Sequence, residues 1–361
     1  MNKRGLYIHI PFCASKCSYC DFYSFTPNNE VIDRYISAVI KELQNYKDYP
    51  VDTLYIGGGT PSLIGAERLT KLLKNIRELF GDLEEATIEA NPADNLYEFF
   101  KAAKDGGINR VSLGVQSGNE KELKALSRRH DNDDVIKAVK DCKTAGISNI
   151  SLDLMLGIPN QTTESLKASI DFLTSLDPTH ISAYILKLEK GTPLYSKKGS
   201  LSIPDPDATA DLYLLATQYL AEKGYEQYEI SNFCKCGFPS LHNLKYWHAE
   251  EYIGIGPSAH GYLDGKRYYY SRNIEEFISS PKPIFDTIPN NAEEYLMLGL
   301  RLSSGVTYKK LEQFGYNLTA IKDKVSLFVK HGLVNETAVG FALTPNGFLV
   351  SNSIIVELLE K

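Results

Sequence analysis

The chain has 361 residues, 43% of them hydrophobic, and a formal net charge of −6. That is apolar material enough for one large domain and a small one, and so diffuse a charge supplies no basic stripe to steer nucleic acid or anionic lipid. No apolar run approaches the roughly 20 residues of a spanning helix or makes the core of a signal peptide, which predicts a cytosolic protein.

From residue 6 to about residue 232, short β-branched or aromatic runs alternate with longer amphipathic stretches, the punctuation of βα units. Strands are expected at 6–10, 53–56, 86–90, 110–115, 148–155, 180–186 and 225–230. Helical connections of this length do not make hairpins, so the sheet is expected to be parallel. Seven such strands predict an α/β fold, a partial (β/α) barrel with its site where strands end and loops begin. The plainest helix is 207–223: Asp207 follows two prolines as N-cap, Leu212, Leu215, Tyr219 and Leu220 form one stripe, and Gly224 stops it.

A break at 279–283, SSPKP, is expected to divide a barrel domain at 1–280 from a second domain at 281–361. The tail shows helical patterns at 292–302, 308–314 and 318–330, then 333–335, a turn, 341–343 and a last helix after Pro345. This order predicts a small, mainly helical, winged-helix-like unit. It lacks the clustered Lys and Arg of a nucleic-acid reader, so packing or partner binding is the expected role.

Of six cysteines, three form C-x3-C-x2-C directly after the first strand: Cys13, Cys17 and Cys20. Cys142, Cys234 and Cys236 lie far downstream, a poor pattern for a disulfide framework. Three thiolates on one loop can ligate three corners of an iron–sulfur cubane and leave the fourth iron open. A zinc knot completed by His9 or a distant residue is the competing reading, because softness alone does not separate the two metals. After the second strand, Gly57-Gly58-Gly59-Thr60-Pro61 offers side-chain-free backbone to a ligand, or simply turns the chain.

On these residues the chain resembles the radical S-adenosylmethionine superfamily. In motif order the resemblance covers essentially the whole length, within the branch of oxygen-independent coproporphyrinogen III oxidase and its heme-chaperone relatives. It implies a [4Fe–4S] cluster on Cys13, Cys17 and Cys20, with S-adenosylmethionine on the open iron. It further implies that Gly58, Gly59 and Thr60 meet the methionine end, that Tyr7 and Tyr19 lie beside the cluster and adenine, and that Arg128 takes the cofactor carboxylate. Glu89, Gln116 and Asp153, at the ends of later strands, are then left for its amine or ribose hydroxyls.

Two departures separate the chain from the oxidase pattern: Phe22 stands where the oxidase carries a further cysteine, and little sequence precedes Cys13. A third feature favours the chaperones, since His242-Asn243-Leu244-Lys245-Tyr246-Trp247 matches their H-N-x-x-Y-W heme motif. An imidazole there can ligate heme iron while Tyr246 and Trp247 wall the macrocycle, and His248 and His260 are neighbouring candidates. The resemblance thus implies a heme chaperone that hands heme to respiratory or storage proteins and draws electrons from a donor such as flavodoxin or ferredoxin, with no nucleic-acid partner. A homodimer, a peripheral membrane contact, cleavage of S-adenosylmethionine and, as the alternative, coproporphyrinogen III oxidation stay open.

Overall fold

The computed structural model describes residues 3–93 and 95–360. In β1 (Arg4–Ile10), Leu6, Ile8 and Ile10 are fully buried on the face turned to the helices, while Tyr7 and His9 alternate onto the opposite, inner face. The same alternation recurs in the strands that follow. They are joined by amphipathic helices: α1 (Asn29–Leu43), β2 (Val51–Gly58), α2 (Gly65–Phe80), β3 (Glu85–Ala90), α3 (Tyr97–Asp105), β4 (Arg110–Gln116), α4 (Glu120–Ala125), α5 (Asn132–Thr144), β5 (Asn149–Leu156), α6 (Thr163–Ser175) and β6 (His180–Ile185). All six strands pair in parallel in chain order. Their inner faces enclose the lumen of a partial barrel.

Beyond β6 come the short α7 (Pro193–Ser196), α8 (Pro206–Glu222), β7 (Glu226–Glu229) and β8 (Asn232–Cys234). The expected seventh strand exists as β7, but it is not the next parallel strand. A tight turn folds β8 back between β6 and β7, antiparallel to both. The helix 207–223 is present as α8, and its N-cap is Asp205 rather than Asp207: the Asp205 side chain accepts from Ala208 N, which leaves Pro206 in the first turn, where its missing N–H costs nothing.

The chain then crosses beneath the barrel as α9 (Leu241–Trp247) and adds β9 (Tyr252–Ile255), parallel to β1 on its free side. From there β10 (His260–Leu263), β11 (Lys266–Tyr269), α10 (Ile274–Ser279) and β12 (Ile284–Thr287) extend the sheet to twelve strands, so the large sheet runs on past residue 280. The tail contains α11 (Asn291–Gly299), β13 (Val306–Thr307), α12 (Tyr308–Gln313), α13 (Leu318–Lys330), β14 (Val334–Glu336), β15 (Gly340–Leu343), α14 (Pro345–Leu349) and α15 (Ser351–Leu359). Its three strands make a separate antiparallel sheet with β15 in the middle, the helix–strand order of a winged helix.

Candidate functional site

After β1 the chain makes a loop that is pinned at several points. Cys13 N donates to the Phe25 carbonyl at 3.0 Å, Phe25 N to the Pro11 carbonyl at 3.1 Å, and Ser18 N to the Leu126 carbonyl at 3.3 Å. The glycine motif after β2 locks the same loop from beside it: Gly59 N donates to the Ile10 carbonyl at 2.8 Å and Thr60 N to the Phe12 carbonyl at 2.7 Å. A methyl group on Gly59 would stand 2.5 Å from the Phe12 carbonyl oxygen, and one on Gly58, whose φ is +113°, 2.6 Å from the His9 ring. These glycines are therefore required by close backbone approach. Their amides are spent inside the fold, and what they present to the site is bare backbone.

Above the strand ends lies a cavity of about 470 Å³. Its wall contains Cys13, Cys17 and Cys20 with Tyr19, then Gly58, Gly59, Thr60, Glu89, Gln116, Arg128 and Asp153. Eleven dispersed candidates thus share one space, and only Tyr7 of the cofactor set lies a layer below, its ring 6.3 Å from that of Tyr55. The three thiols are unpaired and partly accessible. Three soft donors on one loop, lining a cavity beside side-chain-free backbone, have the chemistry that suits a cubane with one uncapped iron. Among the described residues no three His, Cys, Asp or Glu side chains converge as ligands of a single metal ion. His9, one donor that could complete a zinc knot, is buried and has both ring nitrogens engaged: Nδ1 accepts from the Tyr7 hydroxyl at 2.8 Å and Nε2 donates to the Tyr23 carbonyl at 3.0 Å.

Four carboxyls line the cavity, Asp21, Glu89, Asp153 and Glu189, and two of them, Glu89 and Asp153, stand at strand ends. Glu89 accepts from the Tyr55 hydroxyl at 2.8 Å and from Gly58 N at 3.0 Å, and burial raises its pKa despite both bonds. Asp153 accepts from Ser112 Oγ at 3.1 Å; burial, reinforced by the Glu89 charge, pushes its carboxyl up to about 7. Arg128 is turned toward sulfur, Nη1 donating to Cys17 Sγ at 3.4 Å and Nη2 to the Gly114 carbonyl. The sequence reading overlooked Tyr55, Ser112, Met155, Tyr184 and Ile185, which also line the cavity. Period-two alternation would have found Ser112, two positions before the cavity-facing Gly114 of its own strand.

The heme motif lies at the other end of the barrel. His242 is fully buried in α9, with Nδ1 2.9 Å from Thr53 Oγ1, Nε2 2.8 Å from the Tyr246 hydroxyl, and its ring 5.5 Å from that of Tyr55. Thr53 and Glu85 belong to the beginnings of β2 and β3, whereas the cysteine loop follows the end of β1, so the barrel's length separates His242 from the thiols. Burial pushes the His242 pKa down to about 3, which keeps the ring neutral. Tyr246 and Trp247 are half-buried, and His248 and His260 are exposed. Cys142 and Cys234 are buried and Cys236 is exposed.

A parallel barrel with a three-cysteine loop over an open cavity defines a class, and comparison with known proteins agrees. The Radical SAM superfamily model matches residues 7–173 and the HemN C-terminal domain model residues 289–350. The heme chaperone HemW of Lactococcus lactis is 38% identical, over 96% of this chain and 97% of its own length. That of Bacillus subtilis is 36% identical, over 99% and 100%. Coproporphyrinogen III oxidase (HemN) from Escherichia coli, a radical SAM enzyme, shares the fold with a TM-score of 0.83 at 19% identity, covering 99% of this chain and 90% of that one. The chain belongs to the HemW family of the radical SAM superfamily. No helix among the described residues is long and apolar enough to cross a membrane.

Proposed function

We propose that this chain is a heme chaperone that holds a [4Fe–4S] cluster on Cys13, Cys17 and Cys20 and S-adenosylmethionine in the adjoining cavity, and that it passes heme to respiratory or storage proteins. The observation that carries this reading is likeness to heme chaperones along nearly the full length of both chains. Phe22 adds support: it is 61% exposed at the cavity wall, where the oxidase pattern has another cysteine. Held there and reduced, a cluster would be able to supply one electron to the sulfonium of S-adenosylmethionine. The chain's part is to hold that cofactor: bare backbone at Gly58 and Gly59 admits the methionine end, Tyr19 flanks the adenine, and Glu89, Gln116 and Asp153 offer oxygens to its amine and hydroxyls. Electrons come from a flavodoxin or ferredoxin.

Heme is met at α9. In the resting fold Tyr246 and Trp247 are half-buried and His248, just past the helix end, is exposed, whereas ligation by the buried His242 requires α9 to leave the barrel floor. The test is heme titration by difference absorbance on anaerobically reconstituted protein, beside His248→Ala, His242→Ala and an assay for coproporphyrinogen decarboxylation. Saturable binding without decarboxylation is expected, with the Soret band altered in His248→Ala. Loss of heme only in the folded His242→Ala variant would mean that α9 undocks. Decarboxylation without tight heme binding would restore the oxidase.

A further inference from the structure

The orientation of Arg128 is fixed from behind. His130 Nε2 donates to the Val115 carbonyl at 3.0 Å, which leaves Nδ1 as an acceptor 3.5 Å from Arg128 Nη2. Burial pushes the His130 pKa down to about 4, so the ring stays neutral and does not repel the guanidinium. Held by His130 and by the Gly114 carbonyl, Arg128 directs Nη1 at Cys17 Sγ, 3.4 Å away. A second donor faces another of the three sulfurs, because Thr60 Oγ1 lies 3.6 Å from Cys13 Sγ on a residue whose backbone is tied to Phe12.

We propose that Arg128 and Thr60 set the reduction potential of the iron–sulfur site, an inference that rests on the cluster assignment above. Reduction adds one electron from a low-potential one-electron donor and breaks no bond, so the cluster with its thiolates becomes more negative by one charge. Hydrogen bonds to ligand sulfur, and above all one from a cation, stabilise that added charge more than the oxidised state, and the potential rises. Arg128 is thereby a tuning residue at the cluster, with His130 as its positioning residue. The cofactor carboxylate that the family resemblance assigned to Arg128 must find its donors elsewhere in the cavity or share this one.

The experiment is a redox titration followed by electron paramagnetic resonance, on the full chain reconstituted anaerobically, after iron and sulfide analysis. For Arg128→Gln the reduction equilibrium is expected to fall roughly tenfold, about 59 mV for one electron. Arg128→Lys keeps the charge without the fork and falls between, and Thr60→Val gives a smaller drop of the same sign. Full cluster content with an unchanged midpoint in Arg128→Gln overturns the proposal. If that variant loses its cluster, unchanged midpoints in Arg128→Lys and Thr60→Val overturn it instead. Failure of the unsubstituted chain to assemble four-iron clusters overturns the cluster assignment and this inference with it.

Discussion

Asp153 and Glu89 share one cavity wall, and the Glu89 charge makes ionisation of Asp153 harder. The consequence is sharpest for Asp153, whose carboxyl burial pushes from an ordinary 3.8 up to about 7. Below pH 4 the group is protonated in folded and unfolded chains alike. Between about 4 and 7 the folded chain keeps a proton that the unfolded chain has released, so stability falls as pH rises, and above 7 that loss is complete. Asp153→Asn, with the same shape and no charge to desolvate, is therefore expected to stabilise the cofactor-free chain at pH 8 by on the order of 2 kcal/mol, and to do nothing at pH 4. Guanidinium unfolding at both pH values checks this, and equal gains at both would refute it. The residue would thus be held for cofactor contact at a cost in stability, as at many functional sites. Such a carboxyl was legible at a strand end, and so was the cysteine spacing. The burial of His242 was not: its partner Thr53 lies 189 positions away, and nothing within the hexapeptide says which side of its helix faces inward.

At the scale of elements, α9 is held to the barrel by two carboxylates: Asp52 of β2, paired with Lys245 at 3.0 Å, and Glu85. Glu85 opens β3 and accepts from Ser240 Oγ at 3.3 Å, Leu241 N at 2.8 Å and His242 N at 2.9 Å, capping a seven-residue helix too short to persist alone. Glu85→Ala would orphan two amides beneath the barrel and remove a negative charge from the helix N-terminus, which is expected to cost about 2–3 kcal/mol. Hydrogen exchange across 241–247 should quicken more than elsewhere in the sheet; protection left intact there would mean that the Lys245–Asp52 ion pair and the His242–Thr53 hydrogen bond suffice to hold the helix. The elements themselves were unevenly legible. Six parallel strands announced themselves because each places buried aliphatic residues at alternate positions against the helices, as Leu6, Ile8 and Ile10 do in β1. The strands β9 to β12 went unseen, being short and rich in tyrosine, glycine and charge. One signal was present: Asp264 and Gly265, both at positive φ, join β10 to β11 as a two-residue hairpin turn. No comparable signal marks β9, whose place beside β1 is decided by a contact nearly the whole barrel away in sequence.

The whole molecule is held together by a seam between the sheet and its tail. Ile230 N donates to the Arg301 carbonyl at 2.9 Å and Ser303 N to the Tyr228 carbonyl at 3.0 Å, so the turn after α11 covers the edge that β7 would otherwise expose. Glu229 is fully buried in this seam; one oxygen accepts from Ser231 N at 3.2 Å, and the other has no hydrogen-bond partner among the described residues. Burial pushes its carboxyl from 4.5 up to about 7 against the pull of Ser231, Asn232 and the Arg301 charge. The sign is that of Asp153, but the strain now falls on the join between two units. From pH 5 to pH 8 the seam is expected to weaken, and Glu229→Gln should flatten the change and gain on the order of 1–2 kcal/mol at pH 8. Two probes report on the two sides: fluorescence of Trp247, the single tryptophan, follows the barrel floor, while exchange in α13 follows the tail. If the seam couples them, both should shift together in the variant. A gain confined to α13 would show that the tail unfolds on its own and that Glu229 acts only on its docking, whereas no gain on either side would mean that Arg301 already neutralises the carboxylate in place.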